Sequence, residues 1–243
     1  MIEVDNVSKA FGSYRALKDI SFTVQDGSVY GLVGYNGAGK TTLLKIIAGV
    51  YRADAGHVRI DGVEVGRNRK PDQALFIVAD EPYFLPQATP LTMRSFYRGY
   101  YPAWSDEVFE RLLALFHLDP RAKVAGFSKG MQRQLGILLG FATRAHSILL
   151  DESFDGLDLA KRNLLKRLLK QYARERGAAV ILSSHNLREL EDAADHLGMI
   201  KDSALTFDGS VAEVHAKYPD ASLEEIFLSE GTGEDIDTKG LFA

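Results

Sequence analysis

A glycine-rich segment near the start of the chain carries the first pattern with chemical meaning. Residues 34–41 read Gly-Tyr-Asn-Gly-Ala-Gly-Lys-Thr and satisfy the pattern G-x-x-x-x-G-K-[ST]. Glycines let the backbone wrap closely around an anion, so that successive N–H groups and the start of a following helix point at phosphate. Lys40 would reach the β- and γ-phosphates of a nucleotide, and the Thr41 hydroxyl would bind Mg²⁺. The phosphate-binding residues predicted here are Gly34, Asn36, Gly37, Ala38, Gly39, Lys40, Thr41 and Thr42.

Two adjacent carboxylates form a second candidate site. Asp151 and Glu152 follow the apolar run 148–150, which predicts a buried strand. In an open α/β sheet, ligands bind at the carboxyl ends of the strands. Asp151 is suited to hold a Mg²⁺ ion through its hydration shell, and Glu152 to orient and deprotonate an attacking water. Acids that merely solvate a strand end would look the same, but the phosphate loop upstream favours the catalytic interpretation.

The elements that must position these residues follow from hydrophobic periodicity. Strands alternate with helices on both sides of a mostly helical stretch at 88–146, which predicts a parallel α/β sheet with a helical insertion. Strands are predicted at 29–33, 74–78, 148–150 and 179–183, with a hairpin at 57–65. Helices are predicted after the glycine loop and at 105–118, 159–176 and 187–194, with two short terminal helices beginning at the capping boxes Ser210/Glu213 and Ser222/Glu225.

Composition narrows the class of protein. The 243 residues are 46% hydrophobic with a formal net charge of -4, which fits a globular protein and not the basic footprint of a nucleic-acid binder. The absence of cysteine excludes disulfides and thiolate metal sites. Apolar runs are too short to span a bilayer, and the first residues lack the core of a signal peptide. We therefore expect a cytoplasmic protein that does any membrane work through a partner.

Three further motifs resemble the ATP-binding subunits of ABC transporters. Residues 127–132, Phe-Ser-Lys-Gly-Met-Gln, open a helix between the two phosphate motifs and are similar to the signature loop of that family, L-S-G-G-Q. Residues 153–158 follow the two acids and are similar to the D-loop. His185 ends the run 183–185, Ser-Ser-His, and is similar to the family's switch histidine. The ordered motifs cover residues 11–185, and the remainder of the chain also fits the family.

The resemblance implies a fold, a reaction and partners. The fold is a P-loop NTPase core with a RecA-like parallel sheet, an N-terminal antiparallel β subdomain and an inserted helical subdomain. The core spans 1–87 and 147–229, the helical subdomain 88–146 and a flexible tail 230–243. The reaction is hydrolysis of ATP with Mg²⁺ in a head-to-tail dimer, either a homodimer or a heterodimer with a sister ATPase. The dimer drives transport through a separate transmembrane permease, which places the chain on the inner face of the cell membrane.

The same resemblance distributes roles among residues. Glu152, His185 and Lys40 act in catalysis, while Thr41, Asp80 and Asp151 hold the metal. The signature residues Ser128, Lys129 and Gly130 contact the nucleotide bound to the other copy. Phe11 matches the aromatic that stacks on adenine, although a core position suits it almost equally well and Tyr14 is the alternative. The loop 82–86, Pro-Tyr-Phe-Leu-Pro, is an apolar cluster at the place where the permease docks, unless Tyr83 and Phe84 fold into the local core.

Several positions depart from the usual family pattern. Asp80 stands where glutamine is usual, and a carboxylate there can still bind Mg²⁺ or its water. Lys129 replaces glycine and Met131 replaces glutamine in the signature loop, while Tyr35 replaces a frequent proline. The S-K-G-M signature, Asp80 and the ending 222–227 resemble the exporter branch, in which such subunits pair with small permeases.

Three alternatives remain open at this stage. A soluble ABC-type machine generally carries coiled coils, tandem cassettes or zinc-binding cysteines, which this sequence lacks. A P-loop kinase or GTPase would leave the 127–132 loop unexplained. A cassette that binds ATP but hardly hydrolyses it is opposed by Glu152 and His185, although Asp80 and Lys129 leave room for slow turnover. The cargo is chosen by the membrane subunit and is not encoded here.

Overall fold

Two β-sheets and seven helices make up the part of the chain that the computed structural model describes, residues 1–66, 74–217 and Glu225. The strands are β1 (Ile2–Phe11), β2 (Tyr14–Val24), β3 (Val29–Val33), β4 (Ala55–Ile60), β5 (Val63–Glu64), β6 (Leu75–Val78), β7 (Ser147–Asp151), β8 (Ala179–Ser184), β9 (His196–Lys201) and β10 (Ala204–Ser210). The helices are α1 (Lys40–Ile47), α2 (Pro90–Tyr100), α3 (Asp106–Leu115), α4 (Lys129–Thr143), α5 (Leu159–Arg176), α6 (Leu187–Glu191) and α7 (Val211–Lys217), and a 3₁₀ turn lies at Val124–Gly126.

The smaller sheet is antiparallel, with the strand order β2-β1-β4-β5. Its β4–β5 hairpin turns at Asp61 and Gly62, whose φ angles of 52° and 74° are both positive. Two positive φ angles define the mirror-image turn whose twist matches that of the flanking strands, and glycine adopts such an angle without steric penalty. The predicted hairpin is confirmed.

The larger sheet has the strand order β10-β9-β3-β8-β7-β6, and all of its pairs are parallel except β10–β9. Every residue of β3, β7 and β8 is buried, as expected for parallel strands covered on both faces. The register pairs Val33 with Ser184, and Asp151 with Ser183. These pairs bring the carboxyl ends of β3, β7 and β8, and the loops that follow them, to one edge.

Helices α2, α3 and α4 occupy the segment between β6 and β7. Ser105 caps α3 by accepting a hydrogen bond from the Val108 N–H at 3.2 Å, as its sequence predicts. Helix α4 packs closely on β6 because glycine faces the strand: a Cβ on Gly140 would lie 3.0 Å from Phe76 Cδ1. This close approach fixes α4 relative to β6, the strand that leads to Asp80.

The elements predicted from periodicity are largely confirmed, with differences near the C-terminus. The α/β fold class is confirmed, and so is the first terminal helix, where Glu213 Oε2 accepts from the Ser210 hydroxyl at 2.8 Å. Helix α6 ends earlier than predicted, and β9 and β10 are not predicted at all. The second terminal helix, apart from Glu225, and the tail 230–243 lie outside the described residues. Within those residues, none of the helices combines the length and the apolar character that crossing a membrane requires.

Candidate active site

The glycine loop runs from the end of β3 into α1, and its backbone leaves no room for side chains at two positions. A Cβ on Gly34 would lie 2.6 Å from the Ile200 carbonyl oxygen. Gly39 has a φ of 110°, and a Cβ there would lie 2.5 Å from the Ala16 carbonyl oxygen. Both contacts are closer than a methyl group allows, so these positions require glycine. The loop can therefore present its N–H groups to a ligand at short range.

Lys40, the first residue of α1, is buried and folds back over this loop. Its Nζ donates to the Gly34 carbonyl at 2.6 Å and to the Tyr35 carbonyl at 3.3 Å. The same Nζ lies 3.0 Å from Oε1 of Glu152. This last contact is an ion pair between two largely buried side chains. The ammonium thus already sits between the loop and the acid that follows β7.

Glu152 follows β7 and contacts residues after β3 and at the end of β8. These are Lys40 after β3, and Ser183 and His185 at the end of β8. Glu152 has a φ of 44°, a left-handed backbone conformation that non-glycine residues seldom adopt. Its Oε2 lies 2.9 Å from Nδ1 of His185 and accepts from the His185 N–H at 3.3 Å, and its own N–H donates to Ser183 Oγ at 3.2 Å. Burial by itself raises the pKa of Glu152, but Lys40 and His185 outweigh burial and leave the pKa below its ordinary value. Glu152 is therefore ionised and able to accept a proton.

Asp151 is buried beside it and accepts from the Ser183 hydroxyl at 2.7 Å. Burial raises the pKa of Asp151, the carboxylates of Glu152 and Asp80 add to the rise, and the hydroxyls of Ser183 and Thr41 oppose it. None of these groups is a cation, so the carboxylate is buried among like charges. A hard divalent cation held by oxygen ligands would relieve that repulsion, and the residues present therefore fit Mg²⁺.

Asp80 follows β6 and reaches the same region, but its carboxylate is ion-paired. Nη2 of Arg133, on α4, bonds to Asp80 Oδ1, and Nε of Arg133 donates to the Asp80 carbonyl at 3.3 Å. Nη1 of Arg133 donates to the Asp155 carbonyl at 2.6 Å. Sequence reasoning did not single out Arg133, because its partners lie far away along the chain.

Lys40, Asp80, Glu152 and His185 line one open cleft of about 390 Å³. Tyr14 lies at its edge, where its hydroxyl donates to the Gly37 carbonyl at 2.8 Å. Phe11 is absent from the residues described as lining the cleft, and its ring packs edge-on against Tyr51 at a centroid distance of 5.7 Å. The lining residues are Tyr14, Tyr35, Asn36, Gly37, Gly39, Lys40, Thr41, Thr42, Asp80, Glu152, Asp155 and His185.

The predicted signature residues lie apart from this lining, at the start of α4. Ser128 caps the helix and accepts from the Met131 N–H at 3.2 Å. Ser128 and Lys129 are exposed, whereas Gly130 is buried against the 153–158 loop, where a Cβ would lie 2.6 Å from the Gly156 carbonyl oxygen. The structure therefore brings the glycine loop, Asp80, Asp151, Glu152 and His185 together within one chain, and leaves Ser128 and Lys129 outside that group.

A second arginine, Arg162, lies close to the strand end that precedes His185 and was also not predicted from the sequence. Buried Glu189 accepts from the Ser184 hydroxyl at 2.8 Å and lies 2.9 Å from Nη1 of Arg162. Nη2 of Arg162 donates to the Leu157 carbonyl at 3.3 Å. The pair thus connects the strand end that carries His185 with the 153–158 loop. No spacing in the sequence indicates it, because Arg162 and Glu189 lie on different helices.

Comparison with known proteins gives consistent matches. A family model described as "ABC transporter" matches residues 17–155, more than half of the chain. The ABC transporter ATP-binding protein YtrB of Bacillus subtilis is 32% identical over 90% of this chain and 75% of its own length. The SkfA peptide export ATP-binding protein SkfE of Bacillus subtilis is 31% identical over 86% of this chain and 88% of its own. The arabinose import ATP-binding protein AraG of Rhizobium johnstonii is 30% identical over 97% of this chain but only 47% of its own.

A solved structure agrees with these relatives. A structure described as the ATP-binding subunit of an ABC transporter superposes with a TM-score of 0.84 at 25% identity, covering 94% of this chain and 98% of that one.

Proposed function

The chain belongs to the ABC transporter family, and from that premise we propose that it is the subunit whose ATP hydrolysis drives export of a substrate through a separate membrane permease. The chain is an ATP hydrolase of this family. The observation that carries the proposal is the approach of Lys40 to Glu152, 3.0 Å apart between the glycine loop and the end of β7. It supports a mechanism in which an ammonium that binds phosphate and a general base share one cleft.

The chemistry proposed for the cleft assigns each side chain one task. The N–H groups of 34–42 and the start of α1 bind the β- and γ-phosphates, and Lys40 exchanges its bonds to the Gly34 and Tyr35 carbonyls for phosphate oxygens. Glu152 accepts a proton from the attacking water. His185, held against Glu152, orients that water and the transferred phosphoryl group.

We assign the Mg²⁺ site to Thr41, Asp151 and Asp80. The metal would neutralise charge on the phosphates as the bond to the leaving group breaks. The buried Asp151 carboxylate with its raised pKa supports this assignment, since it gains most from a nearby cation. Asp80 adds a second carboxylate ligand if it leaves Arg133.

The position of Ser128 and Lys129 supports a head-to-tail dimer. Both are exposed at the N-terminal end of a 15-residue helix, and neither lines the cleft of its own chain. Helix N-termini favour anions. We propose that they contact the γ-phosphate of an ATP bound to another copy or to a sister ATPase.

The permease is proposed to dock on exposed aromatic groups of two segments, Tyr83 in the loop after β6, and Phe96 and Tyr100 on α2, whose ring centroids lie 4.9 Å apart. Their exposed fractions are 77%, 38% and 60%, and they belong to the loop after β6 and to α2. Exposed apolar groups concentrated in one place mark partner sites. Phe84, by contrast, is half-buried and packs against the core, so it serves the fold.

Docking can be tested with charges at these aromatic groups. Tyr83→Glu and Tyr100→Glu should abolish stimulation of the ATPase by the reconstituted permease and spare the basal rate. Val50→Glu, at an apolar position 63% exposed after α1, is the matched control. Equal stimulation of all variants would contradict the docking surface.

Export as the direction rests on the S-K-G-M loop and Asp80, which resemble the exporter branch. Relatives named for export and for import both match this chain, so we assign direction by experiment. Inverted membrane vesicles that contain the complex should accumulate the substrate when ATP is added outside. Accumulation only in right-side-out vesicles loaded with ATP would reverse the assignment.

The hydrolase itself is tested through Lys40. Purified protein should hydrolyse ATP in a Mg²⁺-dependent reaction, and Lys40→Ala should abolish it. Lys45→Ala removes an ammonium of the same type from the same helix, where Lys45 lies over the Tyr51 ring, and should leave hydrolysis nearly intact. Equal rates for both variants would remove Lys40 from the site.

A further inference from the structure

Arg133 connects three segments that surround the cleft. Its side chain is 12% exposed and bonds to the carboxylate and the carbonyl of Asp80 and to the carbonyl of Asp155. It is carried by α4, whose first turn is the Ser128–Gly130 loop. The guanidinium therefore ties α4 to the end of β6 and to the loop that follows Glu152.

The charge at Asp80 explains why an arginine is needed there. The Asp80 carboxylate lines the same cleft as Glu152, the residue that follows Asp151. A third negative charge beside two others is unfavourable unless a cation offsets it. Arg133 supplies that cation, and its planar fork can bond to Asp80 and to the Asp155 carbonyl at once. A neutral side chain at position 80 would neither repel Asp151 nor form an ion pair with Arg133.

Gly130 adds a second contact between α4 and the 153–158 loop. Residues 130 and 133 lie one turn apart on the same face of α4. Gly130 packs against the Gly156 carbonyl while Arg133 binds the carbonyl of Asp155, so two adjacent peptide groups of the 153–158 loop rest on α4. A change in the contact between Arg133 and the Asp155 carbonyl therefore acts where the start of α4 packs against this loop.

Asp80 also lines the cleft, where a metal-bound nucleotide would compete for its carboxylate. We propose that Arg133 is a positioning residue that holds Asp80 in the nucleotide-free subunit and releases it when Mg²⁺ and ATP bind. Nucleotide binding in the cleft thereby changes the contacts of α4 and of the 153–158 loop. The inference deepens the proposed function and rests on it.

The test separates metal-dependent binding from turnover. Affinity for a fluorescent, non-hydrolysable ATP analogue is measured with Mg²⁺ and with a chelator, beside steady-state kcat. Arg133→Gln should bind the analogue about two- to fivefold more tightly in Mg²⁺, the range for an ion pair in which one partner, Asp80, is half-exposed, and equally in chelator. Its kcat should fall roughly threefold to tenfold, because the Asp155 carbonyl loses a charged donor.

Three further variants test whether the effect of Arg133→Gln depends on its contact with Asp80. Asp80→Asn should remove the effect of Arg133→Gln on Mg²⁺-dependent affinity, because there is no carboxylate left to release. Arg133→Lys should restore wild-type affinity without restoring kcat, since one ammonium cannot replace the two-sided fork. Arg111→Gln, which removes an exposed arginine paired with Glu107 on α3, should change neither quantity.

A purely structural role predicts weaker binding in both conditions for Arg133→Gln, and that outcome would overturn the inference. So would the same gain in affinity in the Asp80→Asn background. If the wild type binds and hydrolyses ATP and Arg133→Gln behaves identically, the proposed role of Arg133 is refuted and the proposed function stands. If the wild type does not bind the nucleotide, the proposed function fails with it.

Discussion

Glutamine at position 152 tests the centre of the proposed mechanism. Glu152→Gln keeps the shape and the contact to His185 but removes the negative charge and the ability to accept a proton. Hydrolysis should fall by roughly 10²–10⁴-fold, the usual contribution of a general base. The perturbation is nearly isosteric, so the fold should survive.

The distances in the cleft also predict what happens to binding. Lys40 Nζ lies 3.0 Å from Glu152 Oε1. At an effective dielectric constant of about 20, two unit charges at that distance attract by about 5 kcal/mol before desolvation is considered. ATP must compete with this attraction for the Lys40 ammonium. Removing the carboxylate charge therefore leaves ATP affinity unchanged or higher, and the trapped nucleotide should hold two copies together as a stable dimer.

The assay combines phosphate release, nucleotide titration and size-exclusion chromatography with and without ATP. Glu107→Gln is the matched control, since Glu107 is exposed on α3 and pairs with Arg111. We expect control turnover near wild type and an ATP-dependent dimer only for Glu152→Gln. Turnover of Glu152→Gln within a fewfold of the wild type would refute the assignment of the base. Weaker ATP binding would refute the competition for Lys40.

Three other predictions concern the adenine, the signature loop and a surface ion pair. The resemblance assigns adenine stacking to Phe11, but Tyr14 lines the cleft; ATP titrations of both alanine variants should show the larger loss, about 1–3 kcal/mol, for Tyr14→Ala. In the Glu152→Gln background, Lys129→Gly should weaken ATP-dependent dimerisation, by an amount that shrinks as salt rises, because exposed charges are screened; equal dimer affinities at low salt would contradict this. Hydrogen bonding to Arg94 lowers the pKa of Asp106 to about 2. The stabilisation is thus complete above the unfolded pKa of about 4 and is lost as pH falls towards about 2, and it amounts to about 1 kcal/mol after allowance for solvent screening. Thermal melts should show that Asp106→Asn lacks this component.

The sequence determined the features that depend on neighbours along the chain. The glycine loop, the Asp61–Gly62 turn and the Ser105 cap each need only a few consecutive residues with the right backbone preferences, and all three have the expected form. Strands β7 and β8 could also be predicted from the sequence, because parallel strands buried on both faces are continuously apolar. From these strands and the loop before α1, the sequence also placed Asp151, Glu152 and His185 at one edge of a sheet.

The tertiary structure alone decided which distant side chains meet. Strands β9 and β10 were not predicted, because short apolar runs such as 197–200 suit a helix or a strand. Pairing with β3 in the folded protein makes β9 a strand. Arg133 and Asp80 are 53 positions apart, and with 29 basic and 33 acidic residues no spacing rule selects that pair. Tyr14 rather than Phe11 reaches the cleft because of how the β1–β2 hairpin turns. Local preferences fix the elements, but long-range contacts depend on how those elements pack, and that packing sets the charge around the carboxylates of this site.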